Sequence, residues 1–384
     1  MERIEANKFL PFGVSLKEVL QHTSFKGTNA KQLLRQKGIF IESNDESDTF
    51  PLLTTTLLSP IEFETIKDKL KAKEDAEKLT SRNIAWDSTN SLIQSVPQNL
   101  NIKELLGDNF TKFKVTSPTN FAMVDNNPDR IKMTFKCETN NFNSSWYRTK
   151  NEFKGEVILE KVKKEGKVYL QMIYTSPETL QVSDKIVGSL VKHFKSQNCV
   201  PKDKEEERIL YKNFNNVERI QFLLSLIQGS DLFEFNKITD LVIGPDPSES
   251  LPSDFEWLQT GKVKELIIKG DTLQDSIFIK NTENYKYLEL SELEVSYNFN
   301  YFAAEGSCKV RFGFDGYFKK RLSNIEFSAV VDSILLKDEY ANVRKDVVIR
   351  HLMQEFQKLK SEKYNLHCIR NMDKQYSLAN QNKL

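Results

Sequence analysis

The chain has 384 residues, which exceeds the usual size of a single domain and favours two or three folding units. Hydrophobic residues make up 39% of it and aromatic residues 11%, enough apolar surface to offset the entropy of folding, which excludes a disordered chain. Lysine and arginine total 55 against 54 aspartate and glutamate, which excludes a general attraction to nucleic acid or anionic membranes, so any polyanion site must be local.

The first 85 residues predict a helical N-terminal region, residues 1–85. Helical patterns cover Ser15–Gln21 and Asn29–Lys37. A further helix is expected to begin at Ser59, because Ser59 can cap it, Pro60 suits its first position and Glu62 completes a capping box. Residues 86–108 then lack a sustained apolar period, which is typical of a linker or a loosely packed connection and predicts a domain boundary.

A second unit, residues 105–235, is predicted to combine a β-hairpin with helices. Apolar runs at Glu156–Leu159 and Val168–Tyr174 flank a turn that contains Gly166, and the second run alternates as a half-buried strand does. Pro177 opens one helical stretch, and Asn215 with Glu218 forms a capping pair for another. We expect these helices to cover the hairpin sheet.

A third unit, residues 236–384, is predicted to be an antiparallel meander with a C-terminal helix. Apolar residues alternate over Leu293–Tyr301 and again over Cys308–Phe314, which indicates an antiparallel pair. The last helix is expected over Ala341–Lys363. Strands followed by helices occur twice, so the predicted class is α+β, with a helical N-terminal region and two mainly antiparallel sheet-plus-helix units.

The cysteines and the hydropathy pattern indicate a cytoplasmic protein. The four cysteines lie far apart without a CxxC pair, which excludes a dense disulfide framework and fits a reducing compartment. The apolar piece Phe9–Val14 is too short for a signal sequence, and no run approaches the roughly 18 apolar residues of a spanning helix. We therefore expect no membrane partner.

Residue types that hold cofactors are scarce. The chain has only 14 glycines and contains neither GxGxxG nor GxxxxGK[ST], the loops that bring backbone amides to phosphates. Its four histidines have no His or Cys partner at metal-ligand spacing. We expect no bound metal and no cofactor, unless the following pattern is a magnesium site.

Asp129 and the string Glu152-Phe153-Lys154 resemble the acidic and lysine residues of metal-dependent nucleases. That resemblance implies that Asp129 and Glu152 share Mg²⁺ while Lys154 stands near the attacking water. The alternative is that these are solvated loop charges. Arg344 and His351 in turn resemble the Arg and His pairing of helical, metal-independent ribonucleases, which implies acid and base work by His351. The alternative there is an amphipathic packing helix.

Basic and aromatic residues interleave near the end of the second strand pair. Aromatic side chains can stack on bases while basic side chains bind phosphates. This segment therefore resembles an RNA-recognition strand and predicts a nucleic-acid-binding surface. The alternative for Lys309 and Arg311 is a cross-strand ion pair with a neighbour such as Glu294. The predicted nucleic-acid-binding residues are Lys309, Arg311, Lys319, Lys320 and Arg321.

The leading functional hypothesis is a non-enzymatic binding or assembly component of an intracellular microbial complex. Well-formed amphipathic elements without a glycine-rich, histidine-rich or cysteine-rich site favour action through surfaces. The Lys-rich and Asn-rich composition is typical of an A+T-rich genome, and such a source favours a mobile-element or defence component with a partner chain. The two alternatives are a metal-dependent nuclease and an RNA- or DNA-binding protein without catalysis.

Overall fold

A computed structural model of the chain describes residues 10–21, 25, 27–66, 76–98, 100–107, 113–139, 152–162, 165–228, 230–301 and 304–381, with side chains as far as residue 369, except those of residues 21, 103, 139 and 259. The mixed class expected from the sequence is confirmed, with an N-terminal helical region followed by a large antiparallel sheet with helices.

The N-terminal region consists of short helices around a core of their own. They are α1 (Val14–Gln21), α2 (Gly27–Gln36), α3 (Glu46–Thr54) and α4 (60–66). The capping box at the start of α4 is confirmed: the Ser59 amide donates to Glu62 Oε2 at 2.6 Å, and the Glu62 amide donates to Ser59 Oγ at 3.3 Å. The core residues are Leu16, Val19, Leu20, Phe25, Ala30, Leu33, Leu34, Phe50, Leu53, Leu58, Phe63 and Ile66.

Within the described residues, eleven strands form one antiparallel sheet in the order β2-β4-β5-β6-β1-β11-β10-β9-β7-β8, with β3 also paired to β4. Both predicted hairpins are confirmed, since Leu159 lies opposite Leu170 and Val295 lies opposite Val310. The strands are β1 (Lys78–Ala85), β2 (Phe113–Thr116), β3 (Ala122–Val124), β4 (Asn127–Thr139), β5 (Glu152–Val162), β6 (Lys167–Tyr174), β7 (Phe233–Pro245), β8 (Leu266–Lys269), β9 (Leu288–Tyr301), β10 (Ala304–Gly313) and β11 (Ser328–Leu336).

The remaining α-helices are α5 (Leu92–Ser95), α6 (Ile102–Leu106), α7 (Pro177–Ser196), α8 (Asn216–Ser225), α9 (Glu256–Thr260), α10 (Ile277–Lys280), α11 (Tyr317–Lys320) and α12 (Lys345–Gln381). Helix α12 begins four residues later than the predicted Ala341 and extends well beyond Lys363. The polar residues after Lys363 continue the helix, because lysine, glutamine and methionine are good helix formers. The predicted starts of α7 and α8 are confirmed by their caps.

Strand β1 joins the two predicted sheet-plus-helix units into one sheet. It pairs with β6 over its whole length and with β11 at Lys78 and Leu79. Its sequence lacks a clean apolar alternation, so the pattern does not predict a strand there. The expected boundaries near residues 85, 105 and 235 stay predictions.

The segment expected to be a loose connection is instead packed into the core. Trp86, Leu92, Val96 and Ile102 are buried among the side chains of β4–β6 and α7. Single anchoring side chains at irregular intervals bury this segment without producing a helical or strand period. The interpretation of residues 86–108 as loosely packed is therefore wrong.

Helices cover opposite faces of the two halves of the sheet. Leu170 and Met172 face the core under α7, whereas Leu79 packs into the core under α8 and α12. Side chains alternate along each strand, and paired residues share a face. One face of the sheet is therefore polar in the first half and buried in the second. The row of residues on this face begins with Gln171 and Ser81, passes along β1 to Leu79, and continues through Ala329, Phe312 and Leu293.

Glycine 155 allows the close packing of β5 on β4. A Cβ at this position would lie 2.3 Å from Cζ of Phe135, a buried ring opposite it in the sheet. We expect Gly155→Ala to lower the free energy of unfolding by about 1–3 kcal/mol, because the ring must move within a packed core. Urea denaturation measures this.

Gly188 supplies the matched control. It lies inside α7, and a Cβ there would meet nothing within 4 Å. Gly188→Ala should raise the free energy of unfolding by about 0.5–1 kcal/mol, since alanine loses less entropy in a helix. Equal effects of the two substitutions would contradict the close approach of Gly155 to Phe135.

Candidate functional site

A groove runs between the polar face of β4–β6 and helix α12, and we call it the sheet–helix groove. It consists of three adjoining cavities with volumes of about 430, 110 and 470 Å³. The first and second cavities share Lys132 and Arg350 in their linings, and the second and third share Gln171 and Gln354. Together they form a continuous concave surface with a mixed polar and apolar lining, which suits a ligand.

One end of the groove is cationic. Lys132, Lys136 and Lys154 lie on adjacent strands, with Lys136 directly opposite Lys154, and they line the 430 Å³ cavity with Arg350. Arg350 is engaged by two acids: it donates to Glu77 Oε1 at 2.9 Å, and its Nη1 lies 3.9 Å from Oε2 of Glu156. Lys136 pairs with Glu152 at 2.8 Å. The further cavity lining comprises Ser117, Thr134, Phe135, Gly155 and Ile173.

The other end of the groove is lined by amides and hydroxyls. Gln171, Gln354 and Gln357 border the 470 Å³ cavity. Tyr169 donates to Glu165 Oε2 at 2.7 Å, and burial together with that carboxylate raises the pKa of Tyr169. Further lining residues are Arg130, Glu160, Val162, Lys358, Ser361, Glu362 and Asn365.

The structure does not bring the three nuclease-like residues together. Glu152 and Lys154 lie on the polar face of β5 at the cationic end of the groove. Asp129 lies on the opposite face near the far end of β4, where it is buried and accepts from the Leu92 amide at 3.4 Å. Because Glu138 is the residue opposite Glu152, Asp129 is about 30 Å along the strand from it. Among the described residues, no three His, Cys, Asp or Glu side chains form a group able to hold a metal ion.

Three of the five predicted nucleic-acid-binding residues are engaged by acids. Lys309 donates to Glu294 at 2.8 Å, the cross-strand pair weighed as the alternative, and Arg311 donates to Asp332 at 2.9 Å. Arg321 pairs with Glu289 and donates to the carbonyl of Lys264. Lys319 and Lys320 are exposed at the end of α11. Nucleic-acid binding stays a prediction for this cluster.

The ribonuclease-like pair has separate partners. Arg344 precedes α12 and donates to both carboxylate oxygens of Asp346. His351 stacks on the ring of Tyr301 with 3.7 Å between the ring centres, and burial lowers the pKa of His351. This arrangement favours a packing role for His351.

Sequence reasoning missed a buried charge network centred on Arg82. This side chain is only 3% exposed and pairs with Asp184 at 2.5 Å, Glu206 at 3.0 Å and Glu326 at 2.8 Å. It thereby ties β1 to α7 and to the segments before α8 and β11. No local pattern around residue 82 indicates three acids that are distant in sequence.

Lys360 is a second buried cation close to that network. Its Nζ donates to Ser81 Oγ, and its neighbour Glu326 belongs to the Arg82 group. Burial lowers the pKa of Lys360 to about 7, and Glu326 offsets only part of that effect. Lys360 is therefore largely neutral above pH 7, unlike an ordinary lysine.

The N-terminal region exposes large apolar side chains, which we call the N-terminal apolar surface. Phe40 is 78% exposed, Leu57 77% and Ile61 80%, and Phe12 and Val14 are also exposed. Hydrogen bonds hold the segments together: the Gly13 amide donates to the Thr54 carbonyl, and Lys37 donates to the carbonyl of Leu57. The adjacent exposed acids are Glu42, Asp45, Glu46 and Asp48.

Comparison with known proteins gives one match. Residues 14–76 match the family model described as the GAPS4b protein N-terminal domain. That stretch contains α1–α4 and most of the N-terminal apolar surface. The search of curated proteins and that of solved structures returned no match. No helix in the described part of the chain combines the length and the apolar character needed to cross a bilayer.

Proposed function

We propose that this chain is a non-enzymatic binding or assembly component of a cytoplasmic, microbial defence complex. The observation that carries the proposal is the coincidence of two features in residues 14–76. This segment is similar to a domain of a defence-associated family, and it also carries large apolar side chains that its own core leaves exposed. Large exposed apolar side chains within one small region are typical of protein interaction sites.

The negative charge beside the N-terminal apolar surface indicates which kind of partner would bind there. The acidic string Glu42, Asp45, Glu46 and Asp48 follows directly on Phe40. Carboxylates at this edge repel phosphate and attract basic side chains. We therefore assign the surface to a partner protein with an apolar centre and a basic rim.

The proposal is tested by co-expressing the tagged chain with the products of the neighbouring genes. One of these products should co-purify with the wild-type chain. Phe40→Asp combined with Leu57→Asp should reduce its recovery at least tenfold, because desolvated charges at an interface core are not tolerated. Phage plating on cells that carry both genes should show a matching loss of protection.

Leu335→Asp combined with Val347→Asp is the control pair, since both side chains are exposed outside the N-terminal region. This variant should retain the partner. Recovery that does not depend on Phe40 and Leu57, or a chain that remains alone with every neighbouring product, would overturn the proposal. Hydrolysis of DNA or RNA that disappears in Glu152→Ala would favour the nuclease alternative instead.

A further inference from the structure

The cationic end of the sheet–helix groove carries an excess of positive charge, because Lys132, Lys136, Lys154 and Arg350 line it against Glu77 and Glu156. Lys136 and Lys154 face each other directly across β4 and β5, an arrangement that destabilises a sheet unless something compensates for it. Glu152 pairs with Lys136, but neither Lys132 nor Lys154 has an ion pair with any other described residue. A compact anion between these lysines would supply the missing charge.

Phosphate is the anion that suits this cavity. Lysine ammonium groups bind phosphate as point charges, and the hydroxyls of Ser117 and Thr134 lie in the same lining. Ser117 has a φ of +48°, a conformation that is uncommon for residues other than glycine. In this cavity lysine side chains would bind the phosphate, whereas backbone amides bind it in glycine-rich phosphate loops.

The opposite end of the groove disfavours a long polyanion. Glu160, Glu165 and Glu362 outnumber the two cations that border the 470 Å³ cavity, Arg130 and Lys358, and would repel a continuing phosphate backbone. Gln171, Gln354 and Gln357 instead offer amide donors and acceptors to a neutral polar group. The groove therefore changes from phosphate-binding to hydrogen-bonding character along its length.

The middle of the groove connects these ends with apolar surface. Ile158, Ile173 and Met353 line the 110 Å³ cavity, which shares Lys132 with one end and Gln354 with the other. Each of the two larger cavities has the volume of a small-molecule site. A molecule with a phosphate, an apolar middle and a polar heterocycle would match this order.

We infer that the sheet–helix groove binds a nucleotide, with its phosphate between Lys132, Lys136 and Lys154 and its base against Gln171 and Gln354. This site is separate from the N-terminal apolar surface and does not depend on the proposed partner. It requires no catalytic step.

Isothermal titration of the full chain with AMP, ADP, ATP, GTP and inorganic phosphate tests the inference. At least one nucleotide should bind, and Lys132→Met combined with Lys154→Met should weaken its binding at least tenfold. Lys319→Met combined with Lys320→Met removes the same charge from α11 and should leave the affinity unchanged. Urea denaturation verifies that the variants are folded.

A second variant separates the two ends of the groove. Gln354→Leu should weaken the nucleotide several-fold while leaving any binding of inorganic phosphate unchanged, because only the base meets this residue. The inference fails if no nucleotide binds, or if affinity survives in the Lys132 and Lys154 variant. It also fails if a 20-nucleotide single strand binds through these lysines while the mononucleotides do not.

Discussion

Replacement of Arg82 by methionine should lower the free energy of unfolding by about 3–5 kcal/mol. Breaking a buried ion pair from one side leaves the remaining charges without compensation. Here the guanidinium of Arg82 is 3% exposed and forms ion pairs with Asp184, Glu206 and Glu326. Urea denaturation at pH 7 measures the loss.

Two further substitutions make the Arg82 result specific. Arg82→Lys keeps the charge but loses the forked geometry, so we expect a smaller loss than with methionine. Arg344→Met removes an arginine that is 77% exposed and pairs with Asp346, and it should leave the free energy of unfolding nearly unchanged. If Arg82→Met were as mild as Arg344→Met, the network would not hold these segments together.

Replacement of Lys360 by methionine should raise the free energy of unfolding at pH 7 by about 3 kcal/mol. The folded-state pKa of Lys360 is lowered to about 7, whereas an unfolded lysine titrates near 10.4. Between these values the unfolded chain binds more protons, so this group makes the wild-type protein more stable as pH rises through that window. Its penalty is fully present below about pH 7.

Methionine removes that penalty at the cost of the hydrogen bond to Ser81, which is worth about 1 kcal/mol. Denaturation of both proteins at pH 7, 8 and 9 should therefore show the variant's advantage shrinking as pH rises. Lys358→Met, at an exposed neighbouring position, should show no such trend. A variant less stable than the wild type at pH 7 would mean that the buried, charged side chain of Lys360 stabilises the fold.

The sequence predicted elements that carry their own local pattern. The alternation in β6, β9 and β10 and the caps of α4, α7 and α8 follow from neighbouring residues, and all are confirmed. Helix α12 is amphipathic, as the sequence pattern predicts, and it buries one face at Val348, Leu352, Phe356 and Leu359. The pairing of Lys309 with Glu294 was foreseen because both lie on the strand pair with the clearest alternation.

The features that sequence reasoning missed depend on partners distant in the chain. Strand β1 is polar along much of its length because Ser81 and Arg82 are satisfied by Lys360 and by three remote acids. Helix α3 contains Pro51 and begins within the acidic string, at Glu46 and Asp48, so no helix was expected there from the sequence.

Only part of the groove could be predicted from the sequence. Lys154 was singled out, but as part of a site with Asp129, which lies on the other face of the sheet. The strict alternation of Lys132, Thr134 and Lys136 with apolar residues along β4 was a usable signal of a cationic sheet face. The contribution of Arg350 required the packing of α12, which no local pattern specifies.

Because the covering helices exchange sides at β1, the groove face of β4–β6 and the charged face that carries Lys309 and Arg311 point in opposite directions. A small molecule seated beside Lys132 and a macromolecule resting on Lys309 and Arg311 would approach from opposite sides of the sheet. Neither would obstruct the other, so this architecture permits simultaneous occupancy without competition.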